Sequence, residues 1–359
     1  MSKSIRKKSK SIGTYRVVGV ASGSSLDGLD LALCELKYAR GKWIWRIEKA
    51  RTIPYPPRIQ EALEHVMTGN AFALAVVDTE LGEFIGEKCK RFAGGKADLI
   101  SSHGHTIFHM PRGALTKQVG SGGAIAAMSG ITTVCDFRST DMALGGQGAP
   151  LVPIGEQLLF PKHSAFLNIG GICNISIHTE KRIIGYDVCI GNQALNFLAG
   201  LRRQPYDADG TLARSGRIDE MLLDDLNALP FHQKRPPRSL GREWFIDEVL
   251  PLISEKSITV KDRLRTVVEH IAMQLGQASW KVETPVLVTG GGTHNSFLLE
   301  RIRAHTQAAI HVPDKLTVDY KEALVFALLG VLRMRGEVNT LKSVTGAKRD
   351  SVGGGVYLA

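Results

Sequence analysis

Residues 19–30 read GVASGSSLDGLD and follow directly on the apolar run YRVVGV. A turn between two strand-like runs needs about one Gly and one Asp. This one holds Gly23, Gly28, Ser22, Ser24, Ser25 and Asp27, with Asp30 just beyond. The flanking runs YRVVGVA (15–21) and LDLALCEL (29–36) predict two strands, and KWIWRIEKARTIPYP (42–56) predicts a third, so the chain opens as a hairpin or meander.

Outward from there, apolar spacing predicts helices over 57–67 and 70–94. ADLISSHG (97–104) reads as a core strand that delivers polar residues at its C-terminal end, where α/β sheets meet ligands. A helix over 122–129 and a strand over 131–137 lead into the glycine- and proline-rich loop 138–153, whose Arg138, Asp141 and Gln147 are candidates for work that repays its ordering entropy. The opening theme then recurs as SAFLNIGGICNISIH (164–178) and KRIIGYDVCIGN (181–192), which suggests a duplicated architecture. Residues 193–280 read mainly helical, best over 262–280, interrupted by the basic, proline-containing FHQKRPPRSLGREWF (231–245). PVLVTGGGTHNSFLLERIRAH (285–305) is strand, triple glycine, helix, with Thr293 or Asn295 as cap. The apolar helix 320–336 reads as buried, and VGGGVYLA (352–359) as a short strand returning to the first sheet.

At 359 residues two lobes are the default expectation. The boundaries predicted are 1–134 with 337–359 for an N-terminal lobe, and 135–336 for a C-terminal lobe. Half of the formal charge of +10 sits in MSKSIRKKSK (1–10), read as a solvated leader, and the rest is too weak for a nucleic-acid surface. No apolar stretch reaches the about 18 residues that span a bilayer and no signal-peptide core follows the charged start, so a cytoplasmic location with no membrane partner is expected. Five cysteines without a CxxC pair read as reduced, buried small hydrophobes.

Three glycine turns follow apolar strands: SGSSLDG (22–28), IGGICN (169–174) and TGGGTHN (289–295). Glycines let backbone approach a ligand, and successive free N–H groups make anion nests. None matches GxxxxGK[ST], and the first two lead into strands, so a P-loop or dinucleotide turn fits badly. Taken together they point to a nucleotide, with Ser22, Ser24 and Ser25 as donors, and Asp27 and Asp30 as hard oxygens for a hydrated Mg²⁺. Asp187 leaves an apolar strand ahead of Gly191 and Asn192, where burial would suit a general base, although capping the helix at 193–201 is an alternative. Glu322 is acidic in an apolar helix and needs a partner or a role. His103, His105 and His109 lack the spacing of a zinc site, and His103 and His105 read as substrate-edge or loop-ordering groups. A serine hydrolase elbow is absent.

GVASGSSLDGLD, SSHGHTIFHMP, VCDFRSTDMALGGQGAPLVP, FLNIGGICNIS, GYDVCIGN, VTGGGTHN and KEALVFALLG, in that order, resemble the anhydro-N-acetylmuramic acid kinase family. The resemblance implies an α/β, two-lobe fold of the actin, hexokinase and Hsp70 type (a duplicated ribonuclease H-like fold) with ATP in an interlobe cleft. It implies hydrolytic opening of the 1,6-anhydro bond of anhydro-N-acetylmuramic acid and phosphorylation of O6. ATP phosphates would meet Ser22, Gly23, Ser24, Ser25, Asp27 and Gly28, with Mg²⁺ held by Asp27 through water. Gly170, Gly171, Gly290, Gly291, Gly292 and Asn295 would complete the nucleotide site. Asp187 would be the general base and Glu322 would lie near the reacting centre. Arg138 and Asp141 would sit at the sugar, with His103, His105 and Gln147 on the same side. The family is dimeric, so a homodimer is implied by analogy. Two motifs depart from the family's pattern: Ser24 replaces Thr in SGTS, and DVCIGN replaces DTGPGN, with Val188, Cys189 and Ile190 in place of Thr, Gly and Pro. Alternatives are a sugar or acetate kinase of the same fold, and a non-catalytic ATP-binding regulatory module.

Overall fold

The computed structural model describes residues 13–359 apart from 24, 25, 27, 181, 237, 255, 256 and 279–283. The basic leader and the expected site residues Ser24, Ser25 and Asp27 therefore lie outside the described residues. The chain divides into two compact units, Met1–Phe160 with Tyr320–Ala359, and Pro161–Asp319.

In the first unit, β1 (Gly13–Ser22), β2 (Leu29–Ala39) and β3 (Lys42–Ile53) form the expected antiparallel meander. β4 (Leu99–Ser102) pairs parallel with β1, while β5 (His105–Met110) and β6 (Leu115–Val119) form a separate hairpin that the sequence did not signal. β7 (Thr133–Cys135) pairs parallel with β4, and the C-terminal strand Gly355–Tyr357 closes the sheet antiparallel to β7, as expected.

Both faces of β1 are buried. Val18 and Val20, with Leu29, Leu31 and Leu33 of β2, share a core with Leu81, Ile85 and Cys89 of the helix Ala71–Ala93. That helix starts at Asn70, whose side chain accepts from the Ala73 amide, and stops at Gly94 in the left-handed conformation. The other face meets the helix Lys315–Arg335 so closely that a Cβ on Gly19 would overlap the Ala323 carbonyl.

These contacts place residues 135–160 and 320–336 in the first unit rather than with the second lobe. Cys135 lies in the first sheet through β7. The helix Val152–Leu159 packs Gly155 on Val325, Glu156 pairs with Lys321 at 2.8 Å, and Trp45 Nε1 donates to the Leu159 carbonyl at 2.8 Å.

The second unit is built on β8 (Ala165–Ile169), β9 (Ile172–His178), β10 (Ile183–Ile190), β11 (Val286–Thr289) and β12 (Ile310–His311), in the order β10-β9-β8-β11-β12. Again an antiparallel meander has its first strand paired parallel to a later one. Leu264, Val267, Val268, Ile271 and Leu275 of the helix Val260–Gln277 fill one core with Leu167, Ile175, Val188 and Val288. This helix starts two residues before the expected 262 because Thr259 caps it, accepting from the Asp262 amide. All five cysteines are free and buried.

Because the obstacle at Gly19 is backbone, Gly19→Ala should destabilise the protein by about 3 kcal/mol, the upper range for overpacking. Urea unfolding measures this; wild-type stability would show that helix and strand can part without cost.

Candidate active site

The polar ends of β1 and β4 bring Ser22, His103 and His105 together. Tyr55 donates to Ser22 Oγ at 2.7 Å, and Ser22 Oγ lies 2.8 Å from His105 Nδ1. With Tyr55 as donor, the serine hydrogen goes to Nδ1, so His105 carries its own hydrogen on Nε2. Burial lowers the His105 pKa and keeps the ring neutral. Ser22, expected at the phosphates, thus spends its hydroxyl on ordering a histidine. Gly28 has a packing reason, since a Cβ there would meet the Ile53 carbonyl at 2.5 Å. Gly23 is exposed.

Arg138 is the centre of the next set. Its Nη2 donates to His103 Nε2 at 2.8 Å and its Nη1 to the Gly148 carbonyl at 2.7 Å. His103, tilted against the Phe326 ring with centroids 4.6 Å apart, is held neutral by burial and by the neighbouring guanidinium. Burial also lowers the Arg138 pKa, and Glu322 opposes this. The Glu322 side chain reaches solvent. Protein packed around its carboxyl nevertheless raises the pKa; Arg138 pulls it back, and Asp30 adds to the rise.

Asp141 has a different place from the one expected. It is completely buried, with Oδ2 accepting from the Gly148 amide at 2.8 Å and Oδ1 from Thr345 Oγ1 at 2.7 Å. Both oxygens are taken inside the protein, so Asp141 shapes the loop instead of offering a free carboxylate. The loop also contains the helix Ser139–Ala143, and the Gln147 amide donates to the Thr345 carbonyl at 2.9 Å, leaving the Gln147 side chain exposed.

In the second unit the turns 169–171 and 290–292 lie side by side at the ends of paired β8 and β11. The Gly170 and Gly171 carbonyls accept from the Asn192 and Gly191 amides at 2.9 and 2.8 Å, so part of this turn caps the helix Asn192–Gly200. Gly290, at φ +91°, and Gly292 are packed against Asn168 and Ile169. Gly171 and Gly291 are different. A Cβ on Gly171 would find only Gln193 Cβ at 3.9 Å, and one on Gly291 only Asn192 Nδ2 at 3.8 Å. Nothing in the packing requires these two glycines, and their backbone is open to the close approach a nucleotide makes. Asn295, expected at the nucleotide, uses Oδ1 to cap the helix Ser296–His305, accepting from the Leu298 amide at 2.9 Å.

Asp187 stands at an irregularity where the β9–β10 register shifts between Asp187 and Cys189. Its Oδ2 accepts from the Leu240 amide at 2.8 Å, and Oδ1 has no partner among the described residues. It does not cap the following helix, whose first residue is preceded by Gly191. Burial raises its pKa, while the Leu240 amide and Arg238 oppose the rise. Val188, Cys189 and Ile190 are buried in the core. Among the described residues no three His, Cys, Asp or Glu side chains group as metal ligands, and no helix is long and apolar enough to cross a membrane.

The first unit thus gathers neutral histidines and an arginine at its strand ends, and the second holds a carboxylate of raised pKa and two open glycine turns. The sequence profile of the anhydro-N-acetylmuramic acid kinase family matches residues 15–359. The chain is 36% identical to the anhydro-N-acetylmuramic acid kinase of Mannheimia succiniciproducens, covering 93% of this chain and 96% of that one. It is also 36% identical to that of Aliivibrio fischeri, covering 96% and 99%. The chain belongs to the anhydro-N-acetylmuramic acid kinase family and is an enzyme of peptidoglycan recycling.

Asp141→Ala would leave the buried Gly148 amide without its acceptor and the Thr345 hydroxyl with only its long bond to the Leu341 carbonyl, at a cost of about 1–3 kcal/mol. Urea unfolding together with the sugar KM should show lost stability and weakened sugar binding. Unchanged stability would remove Asp141 as the organiser of the loop.

Proposed function

We propose that this chain opens the 1,6-anhydro bond of 1,6-anhydro-N-acetylmuramic acid with water and transfers the γ-phosphoryl group of ATP to O6, giving N-acetylmuramic acid 6-phosphate and ADP. Asp187 Oδ1 takes a proton from water as its oxygen bonds to C1. The C1–O6 bond breaks, and O6 attacks the γ-phosphorus while ADP leaves. The proton on Asp187 then passes to solvent. Family membership together with a half-buried Asp187 that keeps one oxygen free carries this reading.

Around that step, Arg138, His105 through Nε2–H, and His103 through its hold on Arg138 prepare the sugar side, with Gln147 at the loop tip. Glu322 stands near the reacting centre, where its charge acts on Arg138 without forming an ion pair. Gly171 and Gly291 receive the nucleotide, with Gly170, Gly290 and Gly292 shaping their turns. The turn from Ser22 to Gly28 would receive the phosphates through Gly23, Ser24, Ser25 and Gly28, the Ser22 hydroxyl being taken by His105. Mg²⁺ would offset phosphate charge, held by Asp27 through water, since the described residues offer no group of three protein ligands. The actin, hexokinase and Hsp70-type arrangement with an interlobe nucleotide cleft, a cytoplasmic location and a homodimer are parts of the same reading.

Reaction in ¹⁸O water is the direct test: label should appear at C1 and phosphate at O6, and label-free product would refute hydrolytic opening. Asp187→Asn should lower kcat by about 10²–10⁴-fold with ATP affinity kept. As a base Asp187 must be ionised, so kcat/KM should fall as pH drops through its raised pKa, above the ordinary carboxylate range. A near-normal rate in Asp187→Asn, or an acid limb at the ordinary carboxylate position, would remove Asp187 from this role.

A further inference from the structure

The basic connector 231–245 has no part in the chemistry above, yet it encloses the base. Arg238 reaches back to the bulge: Nε donates to the Asp187 carbonyl at 3.1 Å and Nη2 to the Val188 carbonyl at 3.4 Å. The Arg238 carbonyl accepts from the Asp187 amide at 3.0 Å, and two residues on, the Leu240 amide holds Oδ2 at 2.8 Å. Backbone and side chain of Asp187 are therefore both bound to one short segment. The segment is itself anchored, because Arg238 Nη1 donates to the carbonyls of Phe231, His232 and Lys234 at 3.2, 3.1 and 2.9 Å. The guanidinium also lies over the Phe231 ring, 4.8 Å from its centroid.

A bulge leaves an unpaired residue and disrupts the ladder, so a side chain there is aimed by whatever takes the freed backbone groups. Here Arg238 takes them. We infer that Arg238 is the positioning residue of the catalytic base, fixing the 187–188 backbone with its planar fork and setting the direction of the free carboxylate oxygen. This rests on the reading of Asp187 as the base. A lysine offers charge at one point and cannot bridge the Asp187, Val188 and Phe231–Lys234 carbonyls together.

Charge gives a readout that packing alone would not move. Among the described residues, the charged and titratable groups facing Asp187 are Arg238 and the Cys189 thiol. Burial holds that thiol's pKa well above its ordinary value, so it stays neutral. His232, behind Arg238, is lowered by burial and by that guanidinium to about 4. Arg238 pulls the Asp187 pKa down, so its loss should raise that pKa and move the acid limb of kcat/KM to higher pH.

The experiment is steady-state kinetics against pH for Arg238→Ala and Arg238→Lys, with ATP and the anhydro sugar, beside Asp187→Asn. Arg238→Ala should lower kcat about 10- to 100-fold, move the limb upward and leave both KM values within about threefold. Arg238→Lys should keep the limb in place and still lose kcat, about tenfold or less. Should Arg238→Ala fail to fold, Arg238→Lys decides: wild-type kcat in it overturns the inference, as does an unmoved limb in a folded Arg238→Ala. If Asp187→Asn is inactive while both Arg238 variants match wild type, the positioning role alone falls. If Asp187→Asn is active, the assignment of the base falls first.

Discussion

The first unit depends on how closely the helix 320–335 can lie on its sheet. Backbone meets backbone at Gly19 and Ala323, where no side chain fits. Two more glycines let the same helix settle: Gly155 under Val325, and Gly330, where a Cβ would meet Ser101 Oγ at 2.5 Å. Ser101 Oγ donates to the Phe326 carbonyl at 2.5 Å, tying the helix to β4 one residue before the chain reaches Ser102 and His103. Seated this way, the helix gives His103 its ring contact with Phe326 and sets Glu322 where it feels Arg138 and Asp30. An apolar core supplies the energy of burial, but the position of the polar groups comes from these close approaches, which permit little sliding.

The loop after β7 divides its charges by burial. Asp141 lies completely buried and held by two donors, out of reach of an outside ligand. Arg138 has no carboxylate within ion-pair distance among the described residues, and its strong bonds go to a neutral imidazole and a carbonyl. A guanidinium in such surroundings retains attraction for an oxygen-rich ligand, because neither partner neutralises it. The loop thus leaves Arg138 without an ion pair while spending Asp141 on structure, which is what the sugar-side role proposed for Arg138 requires.

The two strand–turn–strand openings and the helices at 57–67 and 70–94 were legible because apolar spacing and glycine punctuation act locally, within a few residues. The C-terminal strand was legible for the same reason. What failed needed distant partners. Asp141 is explained by Thr345, 204 residues away, and no local pattern distinguishes a buried carboxylate from one facing a ligand. The lobe boundary was misplaced because the helix 320–335 finds its surface at Gly19. The β5–β6 hairpin escaped notice since its strands are short and half exposed, with His, Thr, Lys and Gln giving no apolar alternation. Asp187 and Arg138 stood out as residues in apolar or glycine-rich company; that Arg238 would enclose Asp187 did not, since a Pro-Pro-Arg stretch reads as solvent-facing.

The same geometry accounts for how the chain accommodates DVCIGN. Two points of the segment are fixed from outside it. At 187 the strap of residues 238–240 binds amide, carbonyl and carboxylate. At 191 the backbone comes so near the opposing turn that a Cβ would meet the Gly170 carbonyl at 2.5 Å and Cys173 Sγ at 2.7 Å, which keeps glycine there. Between the two, Val188, Cys189 and Ile190 are at most 1% exposed and need only fill apolar volume. Residues that only fill apolar volume can be exchanged for others of like size while the two fixed ends keep the segment's direction, so Asp187 keeps its aim with Val188, Cys189 and Ile190 behind it. Burial also disfavours the charged carboxylate of Asp187, and the strap's amide and guanidinium restrain that effect; its pKa is the balance of the two.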